Sequence, residues 1–311
     1  MMKQADGMSE HRVCAVVVAY NRQVLLRECL SALQSQTRAP DTILVVNNAS
    51  TDGTAQMLGA EFSQLEVLTL PENVGGAGGF HAGMKWAYEQ GYDWLWLMDD
   101  DARAAPDCLE KLLAHARPNS VLIPVQRDSQ SGRLYGISRW HKHQYDVTDE
   151  IMAQGRAVTG DFLFTFVGPL ISKKIVEQIG LPNKDFFIWF DDHEYALRIH
   201  SQTKAEIMAV PDALFHHDFF GQTREVSFLG RRSQRSTQSA WKTYYGTRNQ
   251  IYTLTRTRRN VPELLAQLRI ELQYLVGEMI YEPDRWQRAR MRLTGVRDGM
   301  LGRLGMRVRP G

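Results

Sequence analysis

Trp94-Leu95-Trp96-Leu97-Met98-Asp99-Asp100-Asp101 decides the fold, because five apolar residues run without a break into three consecutive carboxylates. An apolar run of this length reads as a strand buried on both faces, as in a parallel sheet. Adjacent carboxylates repel one another, so the cluster is unfavourable unless positive charge lies nearby. Hard oxygen ligands suit Mg2+ or Mn2+, ions that usually also hold substrate phosphates. In open α/β sheets ligands bind at the carboxyl edge of the strands, which is where this cluster falls. A solvated acidic loop is the plainer reading, and the position directly after a buried strand argues against it.

Upstream of that stretch, strands are expected over 13–19, 42–46 and 65–70, with helices over 22–37 and 54–62. Asn73-Val74-Gly75-Gly76-Ala77-Gly78-Gly79-Phe80 opens a further helix running to about residue 90. Downstream, 106–116 reads as a helix and 121–125 as a strand, while the polar stretch 129–160 resists assignment. A buried strand is expected over 162–171, followed by a helix to 179. The aromatic run Phe186-Phe187-Ile188-Trp189-Phe190 reads as a strand feeding Asp191-Asp192-His193-Glu194, which opens a helix through Arg198. A short strand over 205–210 ends near His216-His217, and from 239 the pattern is helical. Strands alternating with helices imply βαβ units. The expected class is therefore α/β, a Rossmann-like, mostly parallel central sheet flanked by helices, with a helical C-terminal extension. The expected division is a sheet domain over 1–238 and a helical basic region over 239–311.

The 311 residues carry 37 Lys and Arg against 35 Asp and Glu, an ordinary globular balance that hides a basic C-terminal third. From Val226 to Pro262 there are eight basic residues and no acid, and from Arg285 to Gly311 eight arginines and one acid. Three cysteines, Cys14, Cys29 and Cys108, match no zinc or redox spacing and are expected as reduced thiols. No apolar run is long enough for a transmembrane helix, and the start lacks a signal-peptide core, so a cytoplasmic protein is expected.

Three further motifs carry chemistry. Glycines at 75–79 either form a plain turn or let a helix amino end approach an anion. Asp191 and Asp192 are either helix-dipole partners or a general base for a hydroxyl. His216 and His217 are either structural or an imidazole ligand that suits Mn2+ alongside carboxylates.

Taken together, these motifs, with Val16-Val17-Val18-Ala19-Tyr20-Asn21, Asn47-Asn48-Ala49-Ser50-Thr51-Asp52-Gly53-Thr54 and Tyr244-Tyr245-Gly246-Thr247-Arg248-Asn249, are similar to the inverting family 2 glycosyltransferases with the GT-A fold. Within them the chain most resembles the bacterial galactofuranosyltransferases, with rhamnosyltransferases close behind. The resemblance runs from about residue 12 to 249 and implies that 1–238 is a catalytic domain, with a nucleotide-sugar half over about 12–125 and an acceptor half over about 126–238. It implies that Ala19, Tyr20 and Asn21 line a nucleotide pocket, with Asn47 where the family commonly has an aspartate contacting uridine. Asp52, Asn73 and Gly76 fall at positions near the nucleotide. Asp99 would reach ribose and metal, Asp100 the donor sugar, and Asp101 the metal, with His216 rather than His217 completing the site because it directly follows Phe215. Asp192 would be the catalytic base and Asp191 would orient the acceptor. Glu194 and Arg198 would support the structure, and Gly168 would begin the acceptor side of the cleft.

The resemblance thus implies an Mn2+- or Mg2+-dependent inverting transferase. It would move galactofuranose from UDP-galactofuranose onto a glycan or polyprenyl-diphosphate-linked acceptor, in cell-surface polysaccharide synthesis. Rhamnosyl transfer from dTDP-rhamnose, a nucleotidyltransferase, and a non-catalytic nucleotide-sugar-binding protein are the alternatives. Leu264, Leu265, Leu268, Leu272 and Leu275 share one side of a helix expected over 261–280, and five arginines mark a second segment over 286–304. This region is either a basic amphipathic surface on the cytoplasmic face of an anionic membrane or helices packed on the catalytic domain. No nucleic-acid partner is expected, because no groove-reading motif is present. Arg248 and Asn249 are expected to meet an acceptor diphosphate.

Overall fold

A computed structural model describes residues 11–141, 143–217, 223–228, 231–236 and 238–309 of the chain. The first half alternates strand and helix: β1 Val13–Ala19, α1 Gln23–Gln34, β2 Thr42–Asn47, α2 Thr54–Glu61, β3 Glu66–Thr69, α3 Gly75–Glu89 and β4 Trp94–Asp99. Next come β5 Arg103–Ala104, α4 Cys108–Leu113, β6 Ser120–Arg127, β7 Leu134–Tyr135, β8 Ser138–His141, β9 His143–Asp146 and α5 Thr148–Gln154. Then follow β10 Val158–Thr159, β11 Phe162–Leu163, β12 Leu170–Ser172, α6 Lys173–Ile179, α7 Asp191–Gln202 and β13 Glu206–His216. Three long helices close the chain, α8 Ala240–Tyr252, α9 Val261–Tyr281 and α10 Arg285–Leu301.

The main sheet runs β10-β13-β6-β12-β4-β1-β2-β3, with β5 and β7 attached at β13 and β6. Strands β3, β2, β1 and β4 are mutually parallel, as are β6 and β13, while β12 is antiparallel to both β4 and β6. All seven residues of β1 are buried, because helices cover both faces of the sheet. Alternation sends Cys14, Val16 and Val18 to one core with Phe80 and Met84 of α3, and Val13, Ala15 and Val17 to another with Leu26, Leu30 and Leu33 of α1. The three cysteines are free and buried, and burial pushes the Cys14 thiol up to about 12.

Two expectations about elements need correction. The run expected as one strand over 162–171 is two short strands, β11 and β12. The break holds Gly168 at φ +90°, where a Cβ would come within 2.5 Å of the Phe215 ring. The aromatic run 186–190 is not a strand at all. After a 3-10 turn over Lys184–Phe186, residues Phe187, Trp189 and Phe190 take φ of 67°, 66° and 68°, the left-handed region. The unassigned stretch 129–160 contains β7, which pairs back onto the end of β6, the short antiparallel pair β8–β9 and helix α5.

Glycine in α3 serves close packing. A Cβ on Gly83 would lie 2.4 Å from Val16 Cγ1 and 2.9 Å from Val46 Cγ2, whereas Gly59 in α2 faces open space. Alanine favours a helix over glycine by about 1 kcal/mol. Overpacking a filled core costs about 1–3 kcal/mol. Gly83→Ala is therefore expected to destabilise and Gly59→Ala to be neutral or stabilising, read as opposite shifts of the urea midpoint.

Candidate active site

The carboxyl ends of β1, β2 and β4 lie side by side. Their register pairs Ala19 with Asn47 and Val18 with Asp99. This lines up the first strand's end, the Asn47 turn and the triple aspartate along one sheet edge. Asp100 is 4% exposed, and its Oδ2 accepts the Tyr20 amide at 3.0 Å. Asn21 adopts φ 52°, and its Oδ1 accepts the Thr51 amide at 2.7 Å, tying the β1 turn to the β2 turn. Asn47 is buried, and its Oδ1 accepts the Ser50 amide at 3.0 Å.

The acidic cluster is electrostatically stressed. Burial first, then the charges of Asp101 and Asp100, push the Asp99 carboxyl well above the usual range. Burial also raises Asp100 to about 6, against the pull of Arg22 and the Tyr20 amide. In Asp101 burial is outweighed by His217 and Arg22, which hold it below the usual range. Arg22 was not expected in the site. Its guanidinium lies 3.4 Å from Asp100 Oδ1 and pairs with Asp101 Oδ2. The signal for it was present, since three adjacent carboxylates demand a counter-charge and Arg22 follows the first strand closely.

Of the two histidines, His217 faces the cluster. Its Nε2 lies 3.4 Å from Asp101 Oδ1, and Asp101 and Asp99 raise its pKa despite its burial. Tyr135 Oη lies 2.7 Å from His217 Nδ1 and 3.0 Å from the His217 carbonyl, which fixes the ring's outer edge. His216 stands among cations, with burial and the charges of Arg127 and Arg103 lowering its pKa.

Among the described residues no three His, Cys, Asp or Glu side chains have already converged into a coordination shell. The residues nevertheless fit a hard divalent ion. Asp101 Oδ1 is buried without a hydrogen-bond partner, and two carboxylates with one imidazole are a suitable donor set for Mn2+ or Mg2+. Positive charge is what the cluster requires. Arg22 and His217 supply it from the protein.

Other expected residues turn out to have local partners. Asp52 accepts the amides of Gln23 and Thr54 at 3.0 and 3.2 Å, which caps the starts of α1 and α2. Asn73 Oδ1 accepts the Gly75 amide at 2.8 Å and Asn48 Nδ2 at 3.1 Å, closing the loop before α3. A Cβ on Gly75 would lie 1.9 Å from the Phe187 carbonyl oxygen, and the Ala77 amide donates to that oxygen at 3.1 Å. The glycine-rich helix start therefore receives the aromatic loop. Gly76 has open space around it.

That loop leads into α7, whose first turn carries Asp191, Asp192 and Glu194. Asp191 is buried, whereas the Asp192 side chain is 19% exposed and its Oδ1 accepts the His193 amide at 2.6 Å. Only Asp192 of this pair is therefore open to a substrate hydroxyl. Glu194 and Arg198 form an i,i+4 ion pair at 3.0 Å, and Arg198 also donates to the Ile179 and Leu181 carbonyls. Lys242 stands beside the aromatic loop. Its Nζ lies 6.0 Å from the Trp189 ring centroid, and its pKa is lowered by burial and by Arg22. Arg248 and Asn249 do not reach a substrate position. Both are fully buried, and their polar atoms are spent on backbone carbonyls and on each other.

Residues 14–180 match Glycosyl transferase family 2, and the chain belongs to that family. It is 28% identical to the galactofuranosyltransferase GlfT1 of Mycolicibacterium smegmatis, over 96% of this chain and 97% of that protein. It is 23% identical to the dTDP-rhamnosyl transferase RfbF of Shigella flexneri, over 82% of this chain and 83% of that one. Among solved structures, the mannosyltransferase PcManGT of Pyrobaculum calidifontis, in complex with GDP-Man and Mn2+, superposes with a TM-score of 0.57 at 16% identity. That superposition covers 94% of this chain and 88% of the other, so the two share the GT-A fold. The protein is a glycosyltransferase that takes a nucleotide-sugar donor and a glycan acceptor.

The buried Asp191 gives a pH signature. Burial, then the charge of Asp192, pushes its carboxyl well above the usual range. Such a group binds its proton more tightly in the folded state, so stability falls as pH rises from the unfolded value, about 3.9, through the raised folded one. Asp191→Asn is expected to be more stable than the parent at about pH 7.5, with the difference closing toward about pH 4 in urea melts. A difference that widened toward acid would carry the wrong sign.

Proposed function

We propose that the chain is a metal-dependent, inverting galactofuranosyltransferase using UDP-galactofuranose. The acceptor is a glycan or a polyprenyl-diphosphate-linked sugar in cell-surface polysaccharide synthesis. The observation that carries the reading is the combination of a charge-starved carboxylate cluster at the sheet edge with a second, partly exposed carboxylate, Asp192, at the start of α7. Similarity to a galactofuranosyltransferase along nearly the whole chain supports the choice of sugar.

Ala19, Tyr20, Asn21 and Asn47 line the nucleotide pocket, and Asp100 faces the donor sugar. Asp99, Asp101 and His217 would hold Mn2+ or Mg2+, with His217 preferred to His216 because it faces Asp101. When bound, the ion neutralises charge developing on the leaving diphosphate. Asp192 removes the proton from an acceptor hydroxyl, whereas Asp191, expected to orient that acceptor, is buried beside it and does not reach it. As the new bond from the acceptor oxygen to the anomeric carbon forms, the bond from that carbon to the diphosphate oxygen breaks, and configuration inverts. Transfer of rhamnose from dTDP-rhamnose is the second reading, supported by the similarity to the Shigella rhamnosyl transferase.

We assign the catalytic unit to residues 1–238 and a helical unit to 239–311, and place the protein at the cytoplasmic face of the inner membrane. No helix among the described residues is long and apolar enough to cross a membrane. Helix α9 is inverted, however. It buries Gln267, Glu271 and Glu278, while Val261, Leu265, Leu272 and Val276 are all more than half exposed. An outward apolar face on a basic region supports peripheral contact with anionic lipid.

Asp192→Ala is expected to lower transfer by about 10²-fold or more, the scale of a general base, while donor affinity survives. The assay is release of UDP or dTDP from each nucleotide-sugar, with Mn2+ and with EDTA. Near-normal transfer by Asp192→Ala would remove the residue from its role, and preferential turnover of dTDP-rhamnose would replace the assigned sugar.

A further inference from the structure

The loop from Asp185 to Phe190 stores backbone strain next to the carboxylates of α7. Phe187, at φ 67° and ψ −65°, centres a γ-turn of the rare, strained hand, closed by the Ile188 amide donating to the Phe186 carbonyl at 2.8 Å. Trp189 and Phe190 are also left-handed, with no glycine to relieve them. Conformations of this kind persist only where the surroundings over-determine them, and they cluster at functional sites.

Here the surroundings are two side chains of α8. Asn249 Nδ2 donates to three loop carbonyls, those of Phe186, Ile188 and Trp189, at 3.0, 3.0 and 2.7 Å. Arg248 donates to the Phe186 carbonyl at 2.8 Å and the Asp185 carbonyl at 3.2 Å, and its Nε donates to Asn249 Oδ1 at 2.8 Å. Its remaining arm reaches the Gly305 carbonyl at 2.6 Å, and the Gly305 amide in turn donates to the Asp185 carbonyl at 2.8 Å. Tyr244 and Tyr245 rings flank the guanidinium at 5.4 and 4.8 Å.

A fully buried arginine is costly, and Arg248 is 0% exposed with no carboxylate hydrogen-bonded to it in the described structure. Its donors go instead to the loop, to Asn249 and to the chain end. From the other side, Gly75 and the Ala77 amide receive the Phe187 carbonyl, so the loop is pinned between the donor half and α8. Gly246 lets the Trp189 ring lie against α8, where a Cβ would come within 2.9 Å.

The geometry points to Arg248 and Asn249 as positioning residues: through the strained loop they set the place of Asp191 and Asp192, and so couple the C-terminal helices to acceptor activation. This rests on the reading of Asp192 as the base. The couple transmits position and touches no substrate.

The test uses the full-length protein with Asn249→Ala, which removes all three donations to the loop, and Arg248→Lys, which keeps the charge and loses the fork, in case the first fails to fold. Three quantities are measured: amide exchange of residues 185–192, UDP affinity with Mn2+ by calorimetry, and transfer kinetics. Positioning requires faster exchange in that segment, UDP affinity within about threefold of the parent, and a kcat lowered about 10- to 100-fold, the scale of a misplacement of about 1 Å. Unchanged exchange, unchanged kcat with a loosened loop, or parallel loss of UDP affinity and kcat would each overturn it. If Asp192→Ala turns over normally, the functional reading fails and the positioning role fails with it. If Asp192→Ala is slow and Asn249→Ala is not, only the positioning role fails.

Discussion

Three buried or half-buried carboxylates in succession at the end of β4 set the terms for the rest of the site. Like charges at this spacing raise one another's free energy, and burial removes the water that would screen them. The protein answers with cations drawn from distant parts of the chain: Arg22 after β1 and His217 after β13. The sheet makes this possible. Parallel strands bring the ends of β1, β2 and β4 to one edge, so a counter-charge close in space lies about eighty residues away in sequence. A hard divalent ion would meet the same demand, which is why the cluster is proposed as a metal seat rather than as an acidic loop.

The second carboxylate pair is held by different physics. Asp191 and Asp192 open a helix whose preceding loop is strained at three aromatic residues. Hydrogen bonds from buried donors hold that strain, and the donors belong to the helical region beyond the sheet domain. The basic C-terminal third is therefore not one thing. Arg248 and Arg292 are interior structural cations, the latter paired with Glu271 and Glu278 beneath α9, while other arginines remain at the surface. Net charge along the sequence treats them alike, and burial separates them.

Much of the fold was legible because its strands are buried on both faces. The apolar runs at 13–19, 42–46 and 94–98 name themselves, and the helices between them follow from period and length. The run 186–190 was illegible for a clear reason. Phe, Ile and Trp favour strands locally, but side-chain donors from Asn249 impose left-handed turns that no local pattern encodes. The stretch 129–160 hid because its strands are two to four residues long and pair with near neighbours. In the site, the carboxylates could be read directly, whereas choosing between His216 and His217 needed the place where β13 ends. His216 is the strand's last residue and pairs with Arg103 and Arg127, and His217, just past it, faces Asp101. The neighbouring arginines mark His216 as the one that does not.

In the proposed function Asp99, Asp101 and His217 would form a divalent-metal seat. Its most direct measurement is Mn2+ binding to the full-length protein, followed by electron paramagnetic resonance in the presence of UDP, for His217→Ala and His216→Ala beside the parent. A metal seat at these residues requires His217→Ala to weaken Mn2+ binding by about tenfold or more, the scale on which a lost ligand or its support is felt, and His216→Ala to bind as the parent does. Normal binding by His217→Ala, or loss confined to His216→Ala, would contradict it.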